Sequence, residues 1–164
     1  MARDFVRTDI PQLAKLYKLF WNEESNTEKM YIMFDSIQLN QFYTVLGYFS
    51  DDNVLIGSVM GIICQDLYGE CKPFMVIESM VVDVNMRKKG IAKKLLSELE
   101  KRAAAAGCSQ IILVTEKVRT DACGFYESMG FSKDNAGYKK KNKCCLIVPV
   151  INSSLLGLKC RRIN

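Results

Sequence analysis

Arg87-Lys88-Lys89-Gly90-Ile91-Ala92 is a basic, glycine-containing turn set between a strand-like run and a helical one. Upstream, Met75-Val76-Ile77-Glu78-Ser79-Met80-Val81-Val82-Asp83-Val84 has the apolar density of a strand. Downstream, Ile91, Leu95, Leu99 and Ala103 recur every fourth residue, with Ala92, Leu96 and Ala106 beside them, which marks an amphipathic helix. A strand that turns through such a segment into a helix builds an anion site. Free backbone N–H groups and the positive end of the helix dipole converge there. Gly124-Phe125-Tyr126-Glu127-Ser128-Met129-Gly130-Phe131 follows later and makes the pair informative.

The rest of the chain is read outward from that turn. Phe5-Val6-Arg7 is expected to be a short first strand, and Asp9-Ile10-Pro11 opens a helix with Asp9 as N-cap. Leu13, Leu16, Tyr17 and Phe20 line one face of it. A second helix is expected over 36–46, after a polar connection at 22–29. Gly47–Ser50 and Val54–Cys64 flank Asp51-Asp52-Asn53 as a hairpin. The long helix covers about 89–106, and Gly107 suits its C-terminal stop. Ile111-Ile112-Leu113-Val114 reads as a strand buried on both faces, 121–129 as a short helix, and 131–141 as a terminal strand. That order predicts a mixed α/β domain whose sheet is covered by helices on both faces.

Composition narrows the chemistry. The 164 residues suffice for one domain with a real core, and 49% hydrophobic with 25% charged residues is ordinary for a globular chain. A net charge of +5, gathered at 87–94, 139–143 and 159–162, suits a phosphate-bearing ligand better than a long nucleic acid. There is no histidine, which removes His-based triads and His-bearing zinc sites. The seven cysteines form no Cys-x-x-Cys pair; Cys64, Cys108 and Cys123 read as small core residues, and no metal site is expected. The amino terminus has no apolar signal region, and no run approaches the ~20 residues that span a bilayer. A cytoplasmic location, without nucleic-acid or membrane partners, is the expectation.

Arg87-x-x-Gly90-x-Ala92 after a strand resembles the acyl-CoA signature of the GNAT superfamily of N-acetyltransferases, and Phe125 to Phe131 resembles a segment that follows later in the same superfamily. The resemblance covers 1–143, read as one GNAT domain; it implies the acyl-CoA N-acyltransferase fold, with a mixed, mostly antiparallel central sheet. Residues 144–164 are a C-terminal extension, for which an edge strand, an oligomer contact or a non-native extension stay open. The resemblance implies acetyl-CoA as co-substrate. Its pyrophosphate falls to Arg87, Lys88, Lys89, Gly90, Ile91 and Ala92, its more distal phosphate to Lys93 and Lys94, and its pantetheine arm to the backbone of Met80, Val81 and Val82. That arm needs a gap in the sheet, because a paired strand has no free N–H or C=O to offer.

Transfer to an amine sets two further demands. Neutralising an amine of pKa ~10.4 at pH 7 costs about 4.6 kcal/mol, so a base is valuable. Glu78, two residues before Met80, matches the superfamily's catalytic carboxylate, and Tyr126 its general-acid tyrosine. Many GNAT proteins place an Asn seven residues before that tyrosine; here it is Arg119, which either serves a phosphate or marks a lost contact. The acceptor, a small-molecule or peptide amine, is expected near Tyr17, Trp21, Asn22, Glu23, Glu24, Tyr31, Phe34 and Asp35. The rival reading is a GNAT domain that holds acyl-CoA as a sensor or partner module. Apolar faces of such domains often pair, so a homodimer stays open.

Overall fold

The structure, a computed structural model, describes residues 1–140. Its elements run β1 (Ala2–Asp4), α1 (Ile10–Trp21), α2 (Thr27–Gln38), β2 (Tyr43–Phe49), β3 (Leu55–Cys64), β4 (Phe74–Val82), α3 (Ile91–Ala105), β5 (Ile111–Leu113) and α4 (Thr120–Ser128). The five strands form one sheet in chain order, β1-β2-β3-β4-β5. Neighbours are antiparallel except β4 and β5, which lie parallel and are joined by the α3 crossover that a parallel pair requires.

Two apolar clusters lie on the two faces of this sheet, as expected of a sheet covered by helices on both sides. Ile91, Leu95, Leu96, Leu99 and Ala103 of α3 pack with Leu46, Val59, Met75 and Ile77. Ile10, Leu13 and Leu16 of α1 and Phe34 of α2 pack with Phe5, Phe49, Leu55 and Val81 on the other side. Close approach of α3 depends on Gly61, where a Cβ would stand 2.9 Å from Leu99 Cδ2 and 3.1 Å from Met75 Sδ. Leu95, Leu96 and Leu99 are fully buried, which stabilises the fold by roughly 2 kcal/mol for each side chain.

Several boundaries differ from the sequence reading, each for a local reason. The first strand is Ala2–Asp4 and not 5–7, since Ala2, Arg3 and Asp4 pair with Tyr48, Gly47 and Leu46. Phe5 turns into the core, and Arg7–Asp9 form a 3-10 turn. Asp9 precedes α1, but its carboxylate accepts from Arg3 and from the Val6 N–H rather than capping the helix. The second helix lies at Thr27–Gln38, not 36–46, because Asn26 caps it through the Lys29 N–H. Tyr43, Thr44 and Val45 are claimed by pairing with Ile62, Gly61 and Met60.

The carboxy-terminal half follows expectation more closely. β5 spans only three residues, and Ile112 and Val114 are exposed, so this strand is not buried on both faces. Gly130, at φ 90°, ends the α4 segment, and the described part of 131–141 holds no strand. Its composition, Ser132-Lys133-Asp134-Asn135-Ala136-Gly137, is that of a turn. Residues 1–134 form one compact unit. The expectations for 141–164 lie outside the described residues. No helix among the described residues is long and apolar enough to cross a membrane.

Candidate active site at the splayed edge of β4

β4 changes character at Ser79. On its amino-terminal half Met75, Val76 and Ile77 pair with Ile111, Ile112 and Leu113 of β5, and that pairing stops at Ile77. On the other edge, Met60 opposes Glu78 while Ser58 opposes Val81, so two residues of β4 face one of β3. This is a β-bulge, and Ser79 sits in it with φ 52°. The bulge reverses the faces of the strand. Met75 and Ile77 point toward α3, but beyond the bulge Met80 and Val82 do so, while Val81 packs toward α1.

The gap that a pantetheine arm would need is therefore present. The Asp83 N–H donates to Ile56 O at 3.0 Å, toward β3. By strand alternation the N–H and C=O of Val82, and of Met80 before it, point to the edge that β5 leaves uncovered. Val81 pairs instead with Ser58 and is 1% exposed.

At the end of that open edge the chain reaches the basic turn. Lys88 and Gly90 adopt left-handed φ values of 60° and 76°, and Gly90 is the N-cap of α3. Gly90 O accepts from Lys94 N–H at 3.0 Å, which leaves the N–H groups of Ile91, Ala92 and Lys93 without helical partners. A Cβ on Gly90 would meet nothing within 4 Å, so the space in front of the turn is open. Lys89 and Lys94 reach Met86 Sδ and the Tyr48 hydroxyl. Arg87 lies 3.9 Å from Asp121.

Tyr126, on α4, directs its hydroxyl at Met80 Sδ, 3.6 Å away. Its ring is held between Phe125 and Phe131, at centroid distances of 5.3 and 5.9 Å. Burial pushes the Tyr126 phenol up, Arg119 draws it back, and Cys123 adds to the rise. Glu78 is exposed and opposes Met60 on the face covered by α1 and α2. Tyr17 approaches the bulge from that face. Burial raises its phenol, and the nearby hydroxyls of Ser79 and Ser58 lower it in part. Ser58 Oγ is itself buried without a hydrogen-bond partner among the described residues.

Tyr17 also lines a hollow of about 420 Å³ with Trp21, Glu23, Glu24, Lys29 and Met33. Of the residues expected near an acceptor, these bring together Tyr17, Trp21, Glu23 and Glu24. Glu24 is paired with Lys18. Asp35 is taken by Arg7 at 2.9 Å, Tyr31 lies under the Arg7 guanidinium, and Phe34 is in the core. Arg119, at the start of α4, stacks over Phe20. Among the described residues no metal-binding group of side chains is found. Cys64, Cys108 and Cys123 are free and half-buried, and Cys108 packs against the α3 cluster as expected of a small core residue.

The sequence profile of the Acetyltransferase (GNAT) family matches residues 10–131, which spans the bulge, the basic turn and Tyr126. The chain belongs to the GNAT acetyltransferase family. No curated protein matches it by sequence. Solved structures that share its fold include the following three. Glucosamine-6-phosphate N-acetyltransferase from Arabidopsis thaliana superposes with a TM-score of 0.77 at 19% identity, over 87% of this chain and 98% of that one. An aminoglycoside acetyltransferase from an uncultured soil metagenomic sample, in complex with trehalose, gives 0.72 at 20% identity, over 87% and 96%. AAC(6')-Iy, in complex with the bisubstrate analogue CoA-S-monomethyl-acetylneamine, gives 0.73 at 19% identity, over 88% and 98%.

The GNAT domain has room and groups that fit acetyl-CoA: an unpaired strand edge at Met80 and Val82, three free helical N–H groups, and open space at Gly90. Two features escaped the sequence reading. Ser79 gave a signal, a small polar residue within an apolar strand, but a bulge position needs the register of β3 to be seen. Phe20 gave none, because its spacing with Leu13 and Leu16 is that of any core stripe.

Proposed function

We propose that this GNAT domain is an acetyl-CoA-dependent N-acetyltransferase that moves an acetyl group directly to the primary amine of a small molecule or peptide. The observation that carries the proposal is the Tyr126 hydroxyl set against Met80 on the open edge of β4, just beyond the Ser79 bulge. Acetyl-CoA, when bound, supplies an activated thioester. The chain's own groups do the rest. The backbone of Met80 and Val82 holds the pantetheine arm, with Val81 keeping that edge in place through its pairing with Ser58. Arg87, Lys88, Lys89, Gly90, Ile91, Ala92 and Lys93 receive the phosphates through helix N–H groups and charge. Arg119 adds a further cation.

Glu78 is the base that takes a proton from the acceptor ammonium, directly or through one water, on the α1 side of the sheet. Tyr126 remains protonated at neutral pH, since burial raises its phenol above the ordinary value, and donates to the departing sulfur. No cysteine relay is needed; no histidine exists to activate one. The hollow beside Tyr17, with Trp21 and Glu23, receives the amine. The neighbouring enzymes on amino sugars support this acceptor class by fold alone.

The test is a thiol-release assay with acetyl-CoA against amino sugars, polyamines, aminoglycosides, amino acids and peptide N-termini, run beside calorimetric binding. Release with one class confirms the enzyme and its acceptor. Binding without release across the panel favours an acyl-CoA sensor, and no binding rejects the proposal.

A further inference from the structure

Phe20, on the last turn of α1, carries two guanidinium groups within reach of its ring. Arg119 Cζ stands 5.0 Å from its ring centroid and Arg87 Cζ 5.8 Å. Arg87 belongs to the turn after β4, and Arg119 leads into α4. A guanidinium that stacks by its face keeps its N–H edge for an anion. Arg87 is held only loosely, since its 3.9 Å approach to Asp121 joins two exposed side chains. The Phe20 ring in turn packs edge-on against Trp21 at 5.0 Å, and Trp21 against Tyr17 at 4.8 Å. Trp21 and Tyr17 are walls of the hollow.

We infer that the Arg119–Phe20–Arg87 clasp makes Phe20 a positioning residue that transmits occupancy of the phosphate site to the Trp21 wall of the acceptor hollow. The inference rests on the acetyl-CoA reading proposed above. A phosphate held by the guanidinium edges displaces Asp121 from Arg87 and relieves the repulsion between the two cations. The clasp then closes on Phe20, and the ring resets Trp21. The phosphate can bias this contact because it binds the closed clasp better than the open one, which is the differential affinity that any ligand-driven shift requires. An uncharged Asn in place of Arg119 would supply neither the stacking cation nor the repulsion.

Trp21 is the chain's single tryptophan, so its emission reports on this wall alone. The experiment titrates the full chain with coenzyme A and follows Trp21 emission and its quenching by acrylamide, with calorimetry alongside. The expected result is a saturable change in both signals whose midpoint matches the calorimetric one. In Phe20→Leu, coenzyme A still binds with an affinity within a few-fold of the wild type, and the Trp21 response is lost. In Arg119→Gln, which keeps every side chain of α1 and removes only the stacking cation, binding weakens by about tenfold, the value of one charge-assisted contact, and the Trp21 response is again lost at saturation. Coenzyme A binding with an unchanged Trp21, or a full response in either variant, overturns the inference. Absence of calorimetric binding to the wild type instead removes the acetyl-CoA reading, and the clasp with it.

Discussion

The Tyr126 hydroxyl meets the Met80 sulfur at 3.6 Å because the Ser79 bulge turns Met80 to the α3 side of the sheet, within reach of α4. Without the extra residue, Met80 would keep the orientation of Glu78 and face α1. One backbone irregularity thus separates the candidate base from the residue that Tyr126 touches.

Tyr126→Phe keeps the ring between Phe125 and Phe131 and removes only the donor. Turnover is expected to fall by about a hundredfold, the lower range for a general acid, while the affinity for acetyl-CoA stays close to wild type. Because the Tyr126 phenol is raised, the wild type should show no loss of kcat from this group as pH rises from 7 to 9. A kcat of Tyr126→Phe equal to wild type would remove the hydroxyl from the mechanism.

Glu78→Gln tests the base. The variant is expected to lose activity most at neutral pH and to recover part of it as pH rises, since more of the acceptor amine is then neutral before it binds. A defect of the same size at every pH would assign Glu78 to binding or structure.

How much of this was legible in the sequence follows from the range of the forces involved. The basic turn is readable because Gly90 and the helix after it form a local unit, with the free N–H groups fixed by helix geometry. Tyr126 was readable from its motif, although its contact with Met80 was not. The second helix was misplaced because Thr27–Gln38 starts at a cap, Asn26, inside a polar stretch that composition alone reads as a connection. The apolar spacing over 36–46 is diverted into β2 by a partner strand that lies later in the chain. Asp9 had the identity of an N-cap, but a bidentate pair with Arg3 outcompeted that local role. The bulge at Ser79 and the splay after Ile77 are properties of register between strands, which no single segment encodes.

Gly90→Ala separates backbone strain from cofactor binding. At φ 76° an alanine costs about 1–2 kcal/mol, so the melting temperature is expected to fall by a few degrees. The added methyl meets no atom of the protein, so the fold should survive. It enters the space assigned to phosphate, and losing one hydrogen bond to that charged group predicts at least a roughly tenfold weaker calorimetric affinity for coenzyme A. Unchanged affinity would place the phosphates elsewhere.

Arg3 and Asp9 fix the first strand to the start of α1, and their pairing makes the fold sensitive to acid. Burial of the Asp9 carboxyl pushes its pKa up, but the hydrogen bonds from Arg3 and the Val6 N–H, with the Arg3 charge, outweigh that and hold it below the ordinary carboxylate range. A carboxyl with a depressed folded pKa stabilises the fold fully above its unfolded value of ~3.9, and that stability is lost as pH falls through the lower folded value. Arg3→Ala leaves the 3%-exposed Asp9 without its cation and also removes the guanidinium stacked 3.6 Å over Phe49. The expected cost is about 3 kcal/mol, with a melting temperature lower by roughly 6–12 °C for a chain of this size. Asp9→Asn, by contrast, should flatten the melting curve against pH below ~4, because the titrating group is gone. Equal acid sensitivity of Asp9→Asn and wild type would show that another carboxylate, such as Asp4 paired with Arg102 at 2.6 Å, controls the acid limb.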